Sequence, residues 1–232
     1  MRFIPFTVLL IVTLISTPAH AQLAGQDLPN LNDLREVFGD VASGATEVEE
    51  IRQDGGLLGS GIEVPDTGAR GNMAKALGDL IGQEVNNFEL SEVLEKAFIE
   101  ASLAVEDALP ELGFQKRDYG VGFALFFILS WEMANETTLE VEASKVAGGN
   151  IVRTIQAAGA GQDVAPEELD AGYDLFLTIP VALLALVQAY EAEGRMTEAA
   201  QMRKIAADAF VQIVGLSPYD IDITDAGEII GY

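Results

Sequence analysis

Two apolar runs constrain this chain more than anything else in it: Tyr119 to Trp131, YGVGFALFFILSW, and Leu175 to Val187, LFLTIPVALLALV. Neither shows a polar face at helical spacing. A helix without one is either a membrane span or the centre of a core. A span needs about 20 apolar residues, and both runs are shorter. Asp118 and Glu132 flank the first, while Thr178 and Pro180 interrupt the second. Both are therefore expected as central helices of one all-α bundle, packed on each other, with no transmembrane span in the mature chain.

The N-terminus reads as a targeting segment. Met1-Arg2 is a short basic start, Phe3 to Ile15 is apolar, and Ala19 and Ala21 stand at the small positions of an A-x-A cleavage site. Residues 1–21 are expected to be a signal peptide, which makes the mature protein periplasmic or secreted in a bacterium. The sequence has no cysteine, so a lipoprotein anchor is excluded. A chain of this length buries a sufficient core without disulfides.

Charge narrows the partners. Lys and Arg number 13 against 37 Asp and Glu, for a formal net charge of −24, and cleavage also removes Arg2. Such a chain repels nucleic acid and anionic membrane surfaces unless a basic patch is segregated. Lys116-Arg117 and Arg203-Lys204 are too small to reverse the field. No nucleic-acid partner is expected; the expected partner is an unidentified protein or envelope component.

Along the chain, residues 22–71 read as a Gly-rich flexible segment, dispensable for folding. Leu31, Leu34, Val37 and Phe38 fit a short helix, and Thr46 to Gln53 another, Thr46 with Glu49 forming a capping box. Gly55, Gly56, Gly59, Gly61, Gly68 and Gly71 then suggest a linker. A helical domain is expected over 72–218. Its helices run from Asn72 to about Phe88, Ser91 to Leu109, Asp118 to Asn135 and Thr138 to Ala158. Two more run from Pro166 to Tyr190 or Glu193 and from about Met196 to Val214. Asp118 is a good N-cap residue. Pro166 before Glu167 and Glu168 marks a helix start. Pro180 should kink its helix. Residues 219–232 read as an acidic tail, with no strand pattern longer than Tyr219–Thr224.

The absences exclude most catalytic chemistry. Cleavage removes His20, the one histidine, and there is no cysteine. A Ser-His-Asp triad, a Cys nucleophile, the common zinc sites and axial His haem ligation all need these residues. Gly120-Val121-Gly122 and Gly159-Ala160-Gly161 lack the further glycines and the preceding strand of a phosphate-binding loop. No cofactor and no metal is expected. Asp220 to Gly227 begins like a calcium loop, but Asp225 stands at its sixth position and Gly231 at its twelfth, where Gly and Glu are needed. Tyr190, Gly194 and Ala199 match part of a tetratricopeptide pattern. Arg203 breaks it and no second copy exists, so one helical hairpin is expected. Asn135-Glu136-Thr137 is a glycosylation sequon in form, with no role assigned. Glu132, next to Trp131, is read as the end of the buried part of its helix rather than a catalytic acid. No catalytic residue is assigned.

From about residue 88 onward, the order of features resembles a family of secreted bacterial proteins, domain of unknown function 6683. The residues carrying the resemblance are Leu112-Gly113-Phe114, Asp118-Tyr119, Ser130-Trp131 and Asn135. They continue with the Tyr190–Gly194 turn, Arg203 with Ala206, Gly215-Leu216-Ser217-Pro218 and the Thr224–Gly227 turn. The family pattern has a glycine after the asparagine, where this chain has Glu136. The resemblance implies an exported helical domain and no activity, substrate or catalytic residue.

The sequence thus points to an exported acidic bundle, more a non-enzymatic binding or interaction module than an enzyme. Two alternatives stand beside it. One is a bundle holding a small apolar ligand between its central helices, lined by Gly122, Phe123, Phe126 and Phe127. The other is a carboxylate-dependent hydrolase, which needs only two facing acids. The intact mass of protein from the envelope fraction should match a chain beginning at Gln22. A species retaining residues 1–21 would contradict the signal reading.

Overall fold

The central helix starts where its N-cap residue stands. Asp118 is extended, with φ −110° and ψ 126°, and its Oδ1 accepts the Val121 amide at 3.0 Å. A computed structural model describes residues 56–84, 88–161 and 163–231. The expected signal peptide and the short helices expected near Leu31–Phe38 and Thr46–Gln53 lie outside the described residues. Among those described, the helices in order are α1 (Asn72–Glu84), α2 (Phe88–Ala108), α3 (Tyr119–Ala134), α4 (Val141–Ala158), α5 (Pro166–Ala192) and α6 (Met196–Val214). A 3-10 turn, Leu109–Leu112, follows α2. A second, Pro218–Asp220, leads into strands β1 (Ile221–Ile223) and β2 (Ile229–Gly231). The fold is a single all-α bundle.

The two apolar runs meet as expected. Phe123 and Phe126 of α3 hold Phe176 of α5, at ring-centroid distances of 5.2 and 5.8 Å, and Tyr119 adds a third contact at 5.4 Å. Phe127 meets Phe210 of α6 edge-on at 4.8 Å. These phenylalanines are fully buried, and such ring pairs add to simple area burial. The helix α5 is long and apolar enough to cross a membrane by length and composition, yet 72% of that stretch is buried within the bundle. It stays helical through Pro180. Gly194, at φ +73°, turns the chain from α5 into α6, and Arg195 lies 4.7 Å from the Tyr190 ring centroid. This is the expected hairpin. Arg203, the residue that departs from the repeat pattern, pairs with Glu191. Glu136 takes φ +51°, the left-handed region that glycine tolerates best.

Two expected boundaries need correction. Residues 57–71, read as the end of a flexible linker, form a strap packed on the bundle. Leu58 exchanges backbone hydrogen bonds with Gly113 and Gln115, both at 2.8 Å, and Ile62 and Val64 bond to Tyr119 and Arg117. Ile62 and Val64 are buried. The glycine density that suggested a linker has another cause here. Gly61, Gly68 and Gly71 take the left-handed φ of turns, and a Cβ on Gly59 would fall 2.8 Å from Oδ2 of Asp118; on the helix side, a Cβ on Gly120 would fall 2.6 Å from the Ser60 Cβ. Residues 219–231, read as a tail, form a hairpin docked on the bundle. Ile221 pairs with Gly231 and Ile223 with Ile229. The Trp131 indole donates to the Ile221 carbonyl at 2.9 Å. Alternation in Ile221-Asp222-Ile223 places both isoleucines inward.

Carboxylates fasten the strap. Asp118 accepts the Ser60 hydroxyl at 2.8 Å. Asp170 of α5 accepts the Thr67 amide and hydroxyl, the Ala69 amide and the Arg117 guanidinium, at 2.7–3.1 Å. One turn on, Asp174 accepts the Gly71 and Met73 amides at 3.0 and 2.8 Å. It thereby caps the start of α1, whose first amides have no partner within the helix. Arg117 also donates to the Val64 and Pro65 carbonyls. The two acids shift in opposite directions. Burial pushes Asp170 up, but Thr67, Arg117 and Ala69 together outweigh it and hold the carboxyl below its ordinary value. Burial dominates at Asp174, and the Met73, Gly71 and Thr178 donors offset only part of it, so this carboxyl is raised.

Phe127→Ala should cost about 3–5 kcal/mol, read by urea unfolding. A loss below about 1 kcal/mol would mean that α3 is not the core. Asp170 has a depressed folded value, so its contribution is complete above the unfolded value of about 3.9 and is lost as pH falls through the folded value. Asp170→Asn should therefore be less stable than wild type at pH 7, and the gap should narrow on acidification below about pH 4. A gap that stays constant with pH would contradict this role.

Candidate functional site

One stripe of α3 escapes complete burial. Leu125, Leu129 and Glu132 are half-buried, while the rest of the helix is buried. Their spacing of four and three places them on one face. With Val121, Ala124 and Ile128 they floor a groove of about 290 Å³. That is near the small end of ligand pockets, which run from about 300 to 1,000 Å³. One wall is the first half of α4, with Val141, Ser144, Lys145 and Gly148; the other is Leu109, Leu112 and Phe114.

Local chemistry explains the walls. Pro110 opens the 3-10 turn after α2, and Gly113 closes it at φ +90°. The turn buries Leu109 and leaves Leu112 37% exposed at the groove. Phe114 then lies against α4, where a Cβ on Gly148 would come within 3.2 Å of its ring. Gly148 and Gly149 are thus buried inside α4, leaving room for Leu58 of the strap and for Phe114 beyond the 3-10 turn. Val141, at the rim, is 60% exposed.

Glu132 closes one end. Its Oε1 accepts the Leu139 amide at 2.7 Å, and its carbonyl accepts the Thr137 amide at 3.1 Å. The carboxylate therefore holds the connection to α4 against the groove. Burial among apolar walls pushes this carboxyl above its ordinary value, and the Leu139 amide offsets only part of that. Lys145, the other charged residue of the groove, lies 3.7 Å from Glu142 on its own helix.

A second, polar cleft of about 590 Å³ lies beside the first and shares Thr138 and Leu139 with it. Trp131, Asn135, Tyr219, Glu140, Asp222 and Asp225 line it. The three acids are exposed. Among the described residues no cluster of three or more His, Cys, Asp or Glu is placed to hold a metal ion.

The residues singled out in the sequence separate clearly. Phe123, Phe126 and Phe127 fill the aromatic core, and none of them lines the groove. Gly122 faces the Tyr173 ring, which would lie 2.6 Å from a Cβ there. The space between the central helices is therefore filled, and the apolar opening lies on the other side of α3. Glu132 is at that opening rather than simply at the end of a buried face. Asp220–Gly227 is part of the terminal hairpin, where Gly227 packs against Ala143 and Val146 of α4. Asn135 of the sequon donates to the Trp131 and Pro218 carbonyls at 3.0 and 3.2 Å, which ties the end of α3 to the hairpin. Gly159 is the C-cap of α4, at φ +64°. Leu109, Leu112, Phe114, Leu139 and Val141 went unnoticed as a group. Their one sequence signal is apolar side chains in short connections between helices.

Glu132 has a raised folded value, so its contribution to stability is greatest where the carboxyl is neutral and is lost as pH rises through that value. Glu132→Gln keeps an acceptor for the Leu139 amide and should lose this fall. Unfolding of both proteins between pH 4 and 8 checks it, and parallel pH curves would contradict it. Comparison of the chain with family models, with curated proteins and with solved structures found no match.

Proposed function

We propose that this is an exported, non-enzymatic binding module, periplasmic or secreted, that takes an apolar group of an envelope component into the groove between α3 and α4. The carrying observation is the half-open stripe of Leu125 and Leu129 under apolar walls. A helix whose other faces are covered leaves this one uncovered, and apolar area withdrawn from water there favours binding by about 25 cal/mol per Å². The reading combines the binding module with the small-ligand carrier expected from sequence and moves the ligand from the filled core to the groove. It also keeps the chain with the exported helical family its motifs resemble.

A carboxylate hydrolase is less well supported. The groove holds one carboxylate, Glu132. A two-acid mechanism needs a partner for it, and a general acid sheltered from water. The acids of the polar cleft are exposed.

The test is titration with 8-fluorooctanol, an uncharged alkyl probe of about the groove's capacity, whose fluorine NMR signal shifts in apolar surroundings. Wild type should bind it saturably. Leu125→Trp, which fills the groove from its floor, should weaken binding at least about tenfold with an unchanged helical circular dichroism spectrum, one factor of ten being about 1.4 kcal/mol. Equal binding by both proteins would place the apolar site elsewhere.

A further inference from the structure

We propose that the groove selects amphiphilic cations: a short alkyl chain on Leu125 and Leu129, with a primary or guanidinium-type head against Glu132. This rests on the groove being the binding site. Its volume of about 290 Å³ takes roughly ten non-hydrogen atoms, at about the 30 Å³ that a liquid water molecule occupies. That is the size of an alkyl chain with a small head.

The charge argument fixes the head. Glu132 ends the apolar stripe of α3, and the pocket walls beside it are Ile128, Leu129 and Leu139. One carboxylate oxygen accepts the Leu139 amide, and a carboxylate can accept several donors. A desolvated carboxylate gains most from a donor that also carries positive charge, because charge-assisted hydrogen bonds are about twice as strong as neutral ones. Thr138, Ser144 and Lys145 are the other polar groups at the groove. The first two are neutral, and Lys145 is drawn to Glu142. The formal net charge of −24 raises the local concentration of cations and repels anions. A fatty carboxylate would meet both that field and Glu132. The burial that lifts the Glu132 carboxyl above its ordinary value is the same desolvation that a bound cation would relieve.

The experiment is competition against 8-fluorooctanol at pH 8 by octylamine, octanol and octanoate, all below their aggregation concentrations, on wild type and Glu132→Gln. Octylamine should displace the probe from wild type at about one-tenth the concentration of octanol, the size of effect a charge-assisted bond gives. Octanoate should be weakest. Glu132→Gln should bring octylamine to the level of octanol, at both 20 and 200 mM salt. A preference that survives Glu132→Gln, and fades only with salt, would assign selection to the overall field and overturn the role of Glu132. Equal displacement by all three would overturn the inference while leaving the groove as the binding site. Preference for octanoate would overturn it in favour of Lys145. Displacement by none of them would overturn both this inference and the groove reading.

Discussion

A helix with no polar face must be covered on every side, and the rest of this structure follows from that demand. The helix α3 is met by α5 and α6 through a shared set of phenylalanines, and by α4 along a third side. The strap covers its first turn, where Gly120 lets Ser60 approach. The terminal hairpin covers its last turn through Trp131. What remains uncovered is the narrow line through Leu125 and Leu129. The groove is the place where the set of covering elements runs out.

The acids of this chain divide into two populations. Most are solvated and make the surface strongly negative. Asp118, Asp170 and Asp174 are buried and hold backbone amides and hydroxyls. A buried carboxylate is costly unless its lone pairs are filled. Asp170 is filled most completely, by four donors including Arg117, and favours its charged form. Asp174 has weaker support, and burial holds its carboxyl above the ordinary value. Glu132 belongs with neither population: it is half-buried, among apolar walls, and accepts the Leu139 amide. That intermediate position is what sets it apart at the end of the groove.

The helices were legible because their signals are local. Asp118 caps, Pro166 starts, and Gly159, Gly194 and Gly215 turn the chain, each within a few residues of the element it bounds. The meeting of the two apolar runs was legible because neither could be solvated. The strap was not, because its glycines serve turns and close approach, and composition alone does not separate that use from flexibility. Its fastening acids lie about a hundred positions away, at Asp170 and Asp174. The hairpin was missed because each strand has three residues, too few for alternation to stand out. The groove was the least legible. Leu125, Leu129 and Glu132 lie at helical spacing inside a run that is apolar throughout, so a stripe left uncovered looks the same as one that is covered. Its walls come from connections whose positions only the tertiary fold supplies.

The fastening of the strap also orders events in time. The bonds from Thr67, Ala69, Gly71 and Met73 to α5 span sequence separations of 101 to 103 residues. Long-range contacts of this kind close slowly, since the chain entropy of the loop is lost before the contact forms. As the chain is made from its N-terminus, α1 exists well before the carboxylate that caps it. Until α5 emerges, the leading half has its own helices but nothing to anchor their entry. The order of the sequence itself thus delays consolidation of the fold until nearly the whole chain is present.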